Sequence, residues 1–182
     1  MQLDPADLVV ARRTLQTSHA MSLFNALGTR RGRVLFVCLG NSCRSQVAET
    51  LARVHANDVM DAKSAGIQPA AHISRRTRAA MLDKRTPIPD DQAPKHISQF
   101  DLDAFDLIVN LSEYGVPVTR AQVLRYAVAD PMGHHKETHR EVCDQIEVMV
   151  QFLAEHFRRA REWNCSNPLY SEECAEAPSL PS

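Results

Sequence analysis

The sequence predicts an α/β protein: a four-stranded parallel sheet flanked by helices on both faces, with an extra helix at the N-terminus. Three observations predict it. Val34-Leu35-Phe36-Val37 is an apolar run without alternation, as expected of a central strand covered on both sides. Further short apolar runs alternate with segments of helical periodicity, the pattern of parallel strands joined by crossover helices. The 182 residues, 44% hydrophobic and 24% charged, suffice for one domain with a full core and some extra length at the ends.

Residues 3–27 read as an amphipathic helix, with Pro5 in the first turn and Leu8, Ala11, Leu15, Leu23 and Leu27 approximating one face. Gly28 stops it. After the 34–37 strand the pattern turns helical from Ser45, with Val47, Ala48, Leu51 and Val54 on one side. Residues 59–65 read as a second strand, and Ser74 as the N-cap of a helix ending near Lys84. Segment 85–98 carries Pro87, Pro89 and Pro94 and reads as a loop. Phe105 to Leu111 is the third strand and Val123 to Val128 a weaker fourth. Residues 137–161 have the cleanest helical period, through Val142, Ile146, Met149, Val150, Leu153 and Phe157. The last twenty residues, rich in Pro, Ser and Glu, read as a tail. The resulting division is 1–30, a helical extension; 31–162, the domain; and 163–182, the tail.

Composition narrows the function. A net charge of −1 argues against a general nucleic-acid binder. No apolar run approaches the length of a membrane span, and no apolar stretch follows a basic start as in a secretory signal, so a cytoplasmic protein is expected. The five cysteines (Cys38, Cys43, Cys143, Cys165 and Cys174) lack paired C-x-x-C spacing, and the last three read as buried or tail thiols.

In such sheets ligands bind beyond the carboxyl ends of the strands, where the strand order reverses. The turn after the first core strand reads Cys38-Leu39-Gly40-Asn41-Ser42-Cys43-Arg44-Ser45. A C-x5-R loop between an apolar strand and a helix forms an anion cradle from inward-turned amides, and the helix adds the positive end of its dipole. Gly40 and Asn41 are residue types that tolerate left-handed backbone. Arg44 can clamp two phosphate oxygens with its planar fork. In that field the thiolate of Cys38 is favoured, and Ser45 can donate its hydroxyl to the sulfur. Leu39, Gly40, Asn41, Ser42, Cys43 and Ser45 are therefore the candidate anion-binding residues.

The run from Val34 to Ser45 resembles the signature of low-molecular-weight protein-tyrosine phosphatases and of the thioredoxin-coupled arsenate reductases that share their fold. Ser64-Ala65-Gly66, Phe105-Asp106-Leu107-Ile108-Val109 and Asp130-Pro131 fall in the same order. The resemblance covers roughly residues 33–160 and implies a phosphotyrosine phosphatase I-like fold, a phosphocysteine intermediate on Cys38, and Asp130 as acid and then base. It implies no metal and no organic cofactor. Two departures bear on the substrate. Gln46 stands where the phosphatases usually have proline and is more typical of the reductases; yet residues 110–117, where those reductases carry further cysteines, have none. Asp130-Pro131-Met132-Gly133 is closer to bacterial members, including protein-arginine phosphatases, and Ser42 is a small hydroxyl residue as in those enzymes, though the reductases have serine there too.

The expectation is a phosphatase acting on a phosphorylated protein or a small phosphomonoester, phosphotyrosine and phosphoarginine both standing open. Its rivals are an arsenate reductase using an external thiol and a non-catalytic anion-binding or adaptor module. Cys43 reads equally as a partner for a protective disulfide with Cys38 or as a packed small side chain. His134, His135 and His139 read as solvated loop and helix-start residues rather than a metal site, and Arg75, Arg76 and Arg78 as a solvated helix face. Asp101, Asp103 and Asp106 read as turn chemistry before a strand. The N-terminal helix either packs on the domain or pairs with a second copy in a homodimer; both stay open.

Overall fold

The computed structural model describes residues 30–133 and 135–166. The predicted helix over 3–27, most of the predicted tail, and His134 lie outside the described residues. Strands β1 (Gly32–Cys38), β2 (Met60–Gly66), β3 (Leu107–Asn110) and β4 (Gln122–Arg125) form one sheet in the order β2-β1-β3-β4, every pair parallel. Among the described residues three α-helices accompany them: α1 (Arg44–His55), α2 (Arg75–Asp83) and α3 (Lys136–Ser166). The first described strand, β1, lies in the middle of the sheet; β2 adds on one side, and the chain then crosses to β3 on the other. The carboxyl ends of β1 and β3 therefore flank the reversal of strand order.

Alternation along β1 divides the core. Val34, Phe36 and Cys38 point to the α-helices and pack with Val47 and Leu51 of α1, Met81 of α2, and Ile146 and Leu153 of α3. Leu35 and Val37 point the other way, toward Ala65, Ile108 and Ile97. That second face is covered by two short 3-10 turns, Ile97–Gln99 and Leu102–Ala104, and by Phe100 and Phe105, whose rings meet edge-on at 5.9 Å. Helical segments thus lie on both faces, long on one and short on the other. Because both faces of β1 are buried, its residues carry no polar alternation.

The ends of the elements follow local chemistry. Ser74 accepts from Thr77 N at 3.5 Å and opens α2. The third strand begins later than Phe105 because the Asp106 carboxylate takes the Arg33 amide (2.7 Å) and the Arg30 guanidinium (2.6 and 2.7 Å). The fourth strand ends at Arg125, but the chain continues along β3: Tyr126 N donates to Asn110 O and Val128 N to Leu111 O. The last helix runs past the expected 161 to Ser166, and Arg158 and Arg161 tie it to Asp58 between α1 and β2. Cys165 is disulfide-bonded rather than a tail thiol. Among the described residues no helix is long and apolar enough to cross a membrane.

Candidate active site

The loop after β1 is laced from outside by residues 67–74. The carbonyls of Cys38, Leu39, Gly40 and Ser42 accept from the amides of Ile67, Gln68, Ala70 and Ser74 at 2.8–3.1 Å. A trans peptide holds its N–H opposite its C=O, so outward carbonyls turn the amides of residues 39, 40, 41 and 43 inward. They surround a cleft of about 230 Å³ lined by Cys38, Leu39, Gly40, Ser42, Cys43, Arg44, Gln68, Ala70, Asp130 and Met132.

Asn41 is the left-handed residue of the loop, with φ of 45°. Of the two residues that tolerate left-handed backbone, Gly40 has no positive φ; its lack of a side chain serves proximity, since a Cβ there would stand 3.2 Å from Ser42 Oγ. Gly66, at the end of β2, is needed more strictly. A Cβ on it would lie 2.9 Å from the Asn41 N and Leu39 O atoms.

Behind the loop runs a buried polar network. Asn41 Nδ2 donates to Ser45 Oγ (2.8 Å) and Ser64 Oγ (2.9 Å), while its Oδ1 accepts from Lys95 N (2.7 Å) and Gln46 Nε2 (3.1 Å). Ser64 donates to Glu49 Oε2 at 2.5 Å, and this fully buried carboxylate is neutralised by Arg53 and by Lys95 at 3.3 Å. Ser45 Oγ lies 3.0 Å from Cys38 Sγ. Asn41 and Ser45 therefore stand behind the cradle and shape it, rather than lining the cleft with Leu39, Gly40, Ser42 and Cys43.

Arg44 is buried, and its fork is aimed by main-chain carbonyls. Nη1 donates to Leu111 O (3.2 Å), at the end of β3, and to Val128 O (3.0 Å), after β4. Nη2 meets Asp130 Oδ2 at 2.5 Å. Asp130 Oδ1 accepts from Met132 N at 3.0 Å, so this Asp-Pro pair forms a turn and also reaches the arginine. Three segments far apart in sequence thus converge, each leaving the carboxyl end of a strand.

Cys43 is buried and meets groups from α2 and α3. Its sulfur is 3.9 Å from Nδ1 of His139, whose ring also meets Thr77 Oγ1 at 3.2 Å. His139 is buried, a correction to its reading as a solvated helix-start residue; helix α3 turns it inward one turn before Cys143. Burial pushes the Cys43 thiol well above its ordinary range, against the lowering effect of Thr77, and pushes Cys143 up to about 12. His135 is exposed, and among the described residues no group of three or more His, Cys, Asp or Glu is placed to hold a metal ion. Arg75 and Arg76 are exposed as expected, but Arg78 is half-buried and donates to Ile88 O at 2.9 Å.

Sequence reasoning gave no site role to Gln68, Ala70 and Met132 on the cleft wall, to the Asn41 partners Gln46, Ser64 and Lys95, or to Glu49 beyond Ser64. Gln46 carried a signal as a departure from the family pattern, and Ser64 and Met132 stood in stretches that resemble the family.

The family model described as low molecular weight phosphotyrosine protein phosphatase matches residues 33–163. Arsenate reductase 1 of Bacillus cereus is 32% identical over 127 residues, covering 67% of this chain and 93% of that protein. The low molecular weight protein-tyrosine-phosphatase PtpB of Staphylococcus haemolyticus is 26% identical over 133 residues, covering 65% and 94%. The crystal structure of an arsenate reductase from Archaeoglobus fulgidus superposes with a TM-score of 0.61 at 31% identity, covering 67% of this chain and 98% of that one. With a family match across most of the chain and relatives covered nearly end to end, the protein belongs to the low molecular weight phosphotyrosine protein phosphatase family.

Proposed function

We propose that this protein hydrolyses phosphomonoesters or phosphoproteins through a phosphocysteine intermediate. The observation that carries the reading is the meeting of Cys38, Arg44 and Asp130 on one cleft, on a cradle of inward amides. The amides and Arg44 take the non-bridging oxygens of the phosphoryl group. Cys38 sulfur attacks phosphorus; the S–P bond forms as the P–O bond to the leaving group breaks, and Asp130 gives its proton to the departing oxygen. Water then attacks phosphorus, Asp130 takes its proton, and the S–P bond breaks to return the thiolate. Ser45, 3.0 Å from the sulfur, supports it as a leaving group.

Arsenate reduction needs a further thiol to take the oxidising equivalent. Residues 110–117 have no cysteine, and Cys43 and Cys143 are buried with their thiols held protonated, which makes both poor nucleophiles. These facts support hydrolysis over a thiol relay within the chain. The second reading, arsenate reduction completed by an external thiol, is favoured by Gln46 and by the names of relatives such as the Bacillus cereus protein.

One purified sample offered p-nitrophenyl phosphate, phosphotyrosine, phosphoarginine and arsenate separates the two. Hydrolysis is expected to collapse in Cys38→Ser and Arg44→Ala, and to fall about 10²–10⁴-fold in Asp130→Ala, the usual scale of acid–base help. Arsenate-dependent oxidation of thioredoxin or glutathione without aryl phosphate turnover would replace the phosphatase reading with the second. Parent-like activity in Asp130→Ala would remove the acid assignment.

A further inference from the structure

Gln46 lies in the first turn of α1, two residues after Arg44, with no exposed surface. Its Nε2 donates to Ala93 O (3.0 Å) and to Asn41 Oδ1 (3.1 Å), and its Oε1 accepts from Gln92 Nε2 at 2.8 Å. Gln92 is itself buried; its Oε1 is 3.1 Å from Thr50 Oγ1 and its main-chain carbonyl accepts from Arg78. The proline-rich loop is thus fastened at residues 92–95 onto the start of the phosphate-loop helix.

Main-chain groups decide which way these amides point. A carbonyl oxygen only accepts, so Ala93 O requires the Gln46 NH₂ at its end. A backbone N–H only donates, so Lys95 N requires the Asn41 carbonyl at its end. Both requirements agree with the bond between the two side chains, Nε2–H of Gln46 to Oδ1 of Asn41. Asn41 is left with both Nδ2 protons for Ser45 and Ser64. Ser64 gives its own proton to Glu49. Ser45 has accepted from Asn41, and its proton is free for Cys38 Sγ at 3.0 Å, the competing carbonyl of Ala65 being longer at 3.4 Å.

We propose that Gln46 is a positioning residue: held by residues 92–95, it fixes the direction of the Asn41–Ser45 hydrogen bonds so that the Ser45 hydroxyl donates to the Cys38 sulfur. A sulfur that accepts a hydrogen bond is favoured as the anion. The proposal deepens the phosphatase reading and rests on Cys38 as its nucleophile, but its primary readout is sulfur reactivity and needs no substrate.

The test uses the full chain. Gln46→Glu keeps size and shape but turns a donor into an acceptor facing two acceptors; Gln46→Met keeps volume and removes both polar ends. The rate of Cys38 alkylation by iodoacetamide is followed against pH by mass spectrometry, beside steady-state p-nitrophenyl phosphate kinetics. In Gln46→Glu the alkylation midpoint is expected to rise by about one pH unit, a tenfold slower reaction on the acid side. Gln46→Met moves it less, in the same direction. In both, kcat falls while KM stays near the parent's, because the amide cradle and Arg44 are unaltered. Gln92→Leu leaves the Gln46 donors in place and loosens their anchor, so a smaller shift is expected; it also serves if the Gln46 variants fail to fold. Folded variants that melt earlier yet keep the parent midpoint would overturn the proposal and leave Gln46 a packing residue. A moved midpoint in a protein that turns over no aryl phosphate keeps the proposal and sinks the phosphatase reading instead.

Discussion

Residues 38–45 and residues 128–133 face each other across one cleft and are held in opposite ways. The first wall is buried except at the half-buried Leu39 and Gly40; four of its carbonyls are bonded to residues 67–74, and Asn41 alone takes part in four hydrogen bonds. The second wall exposes Ala129, Asp130, Met132 and Gly133. It is fastened by Arg44 and by Val128 N to Leu111 O at 3.4 Å, with Pro131 tucked beneath. A nucleophile and an oxyanion cradle gain from being fixed before substrate arrives, since reorganisation during the reaction adds to the barrier. In the hydrolysis proposed above, Asp130 would serve a leaving oxygen first and a water afterwards, two partners in two positions. The buried wall and the exposed wall fit those two proposed tasks.

The largest effect should come from breaking the buried wall. Gly66→Ala sets a methyl group 2.9 Å from the Asn41 N and Leu39 O atoms, main-chain atoms that cannot swing aside as a side chain would. A displacement of about 1 Å in the loop is expected to lower kcat about 10²-fold, and to slow Cys38 alkylation as well. Activity within about threefold of the parent would mean that the loop yields, and the contrast between the walls would fail. Pro131→Ala acts on the other wall and should do less. It frees the backbone that carries Asp130 without removing the carboxyl, so kcat falls by about tenfold, less than the loss of the acid itself, while Cys38 alkylation stays at the parent rate. Met132→Ala, on the exposed rim, should do least: KM for an aryl phosphate rises and kcat holds, as for a contact made equally to substrate and transition state.

The same division decides what could be read in advance. Strand β1 and helix α3 were legible because periodicity is local: an unbroken apolar run, and Val142, Ile146, Met149, Val150 and Leu153 on one stripe. Cys38 and Arg44 were legible because one loop holds both. The convergence of Asp130 with Arg44 across 86 residues depends on β4 lying beside β3, which no local pattern states. Gly66 belongs to the same class, since its need for a bare Cα arises from a neighbouring loop rather than from its own φ. His139 was misread because a histidine among Glu137, Arg140 and Glu141 looks like the wet side of a helix. Its burial follows from Thr77 and Cys43 meeting it from α2 and from the phosphate loop.

How dry the space behind the buried wall is can be measured from alkaline stability. Cys143 is buried on α3, and burial raises its thiol from 9.0 to about 12; Cys43 shifts the same way. The sign is fixed by proton binding. Below pH 9 the thiol is protonated in both the folded and unfolded chain, and stability does not depend on it. Above pH 9 the unfolded chain releases this proton while the folded chain keeps it, so stability falls as pH rises, by up to about 1.4 kcal/mol per pH unit for each such thiol. Cys143→Ala removes one of these contributions. Its urea midpoint should lie below the parent's at pH 7, because a buried sulfur is lost, and the gap should narrow between about pH 9 and pH 10.5. A gap that stays constant over that range would mean that water reaches the thiol and relieves its burial. The back of the phosphate loop would then be a wet pocket, and the fixed geometry of the Cys38 wall would have to rest on its hydrogen bonds alone.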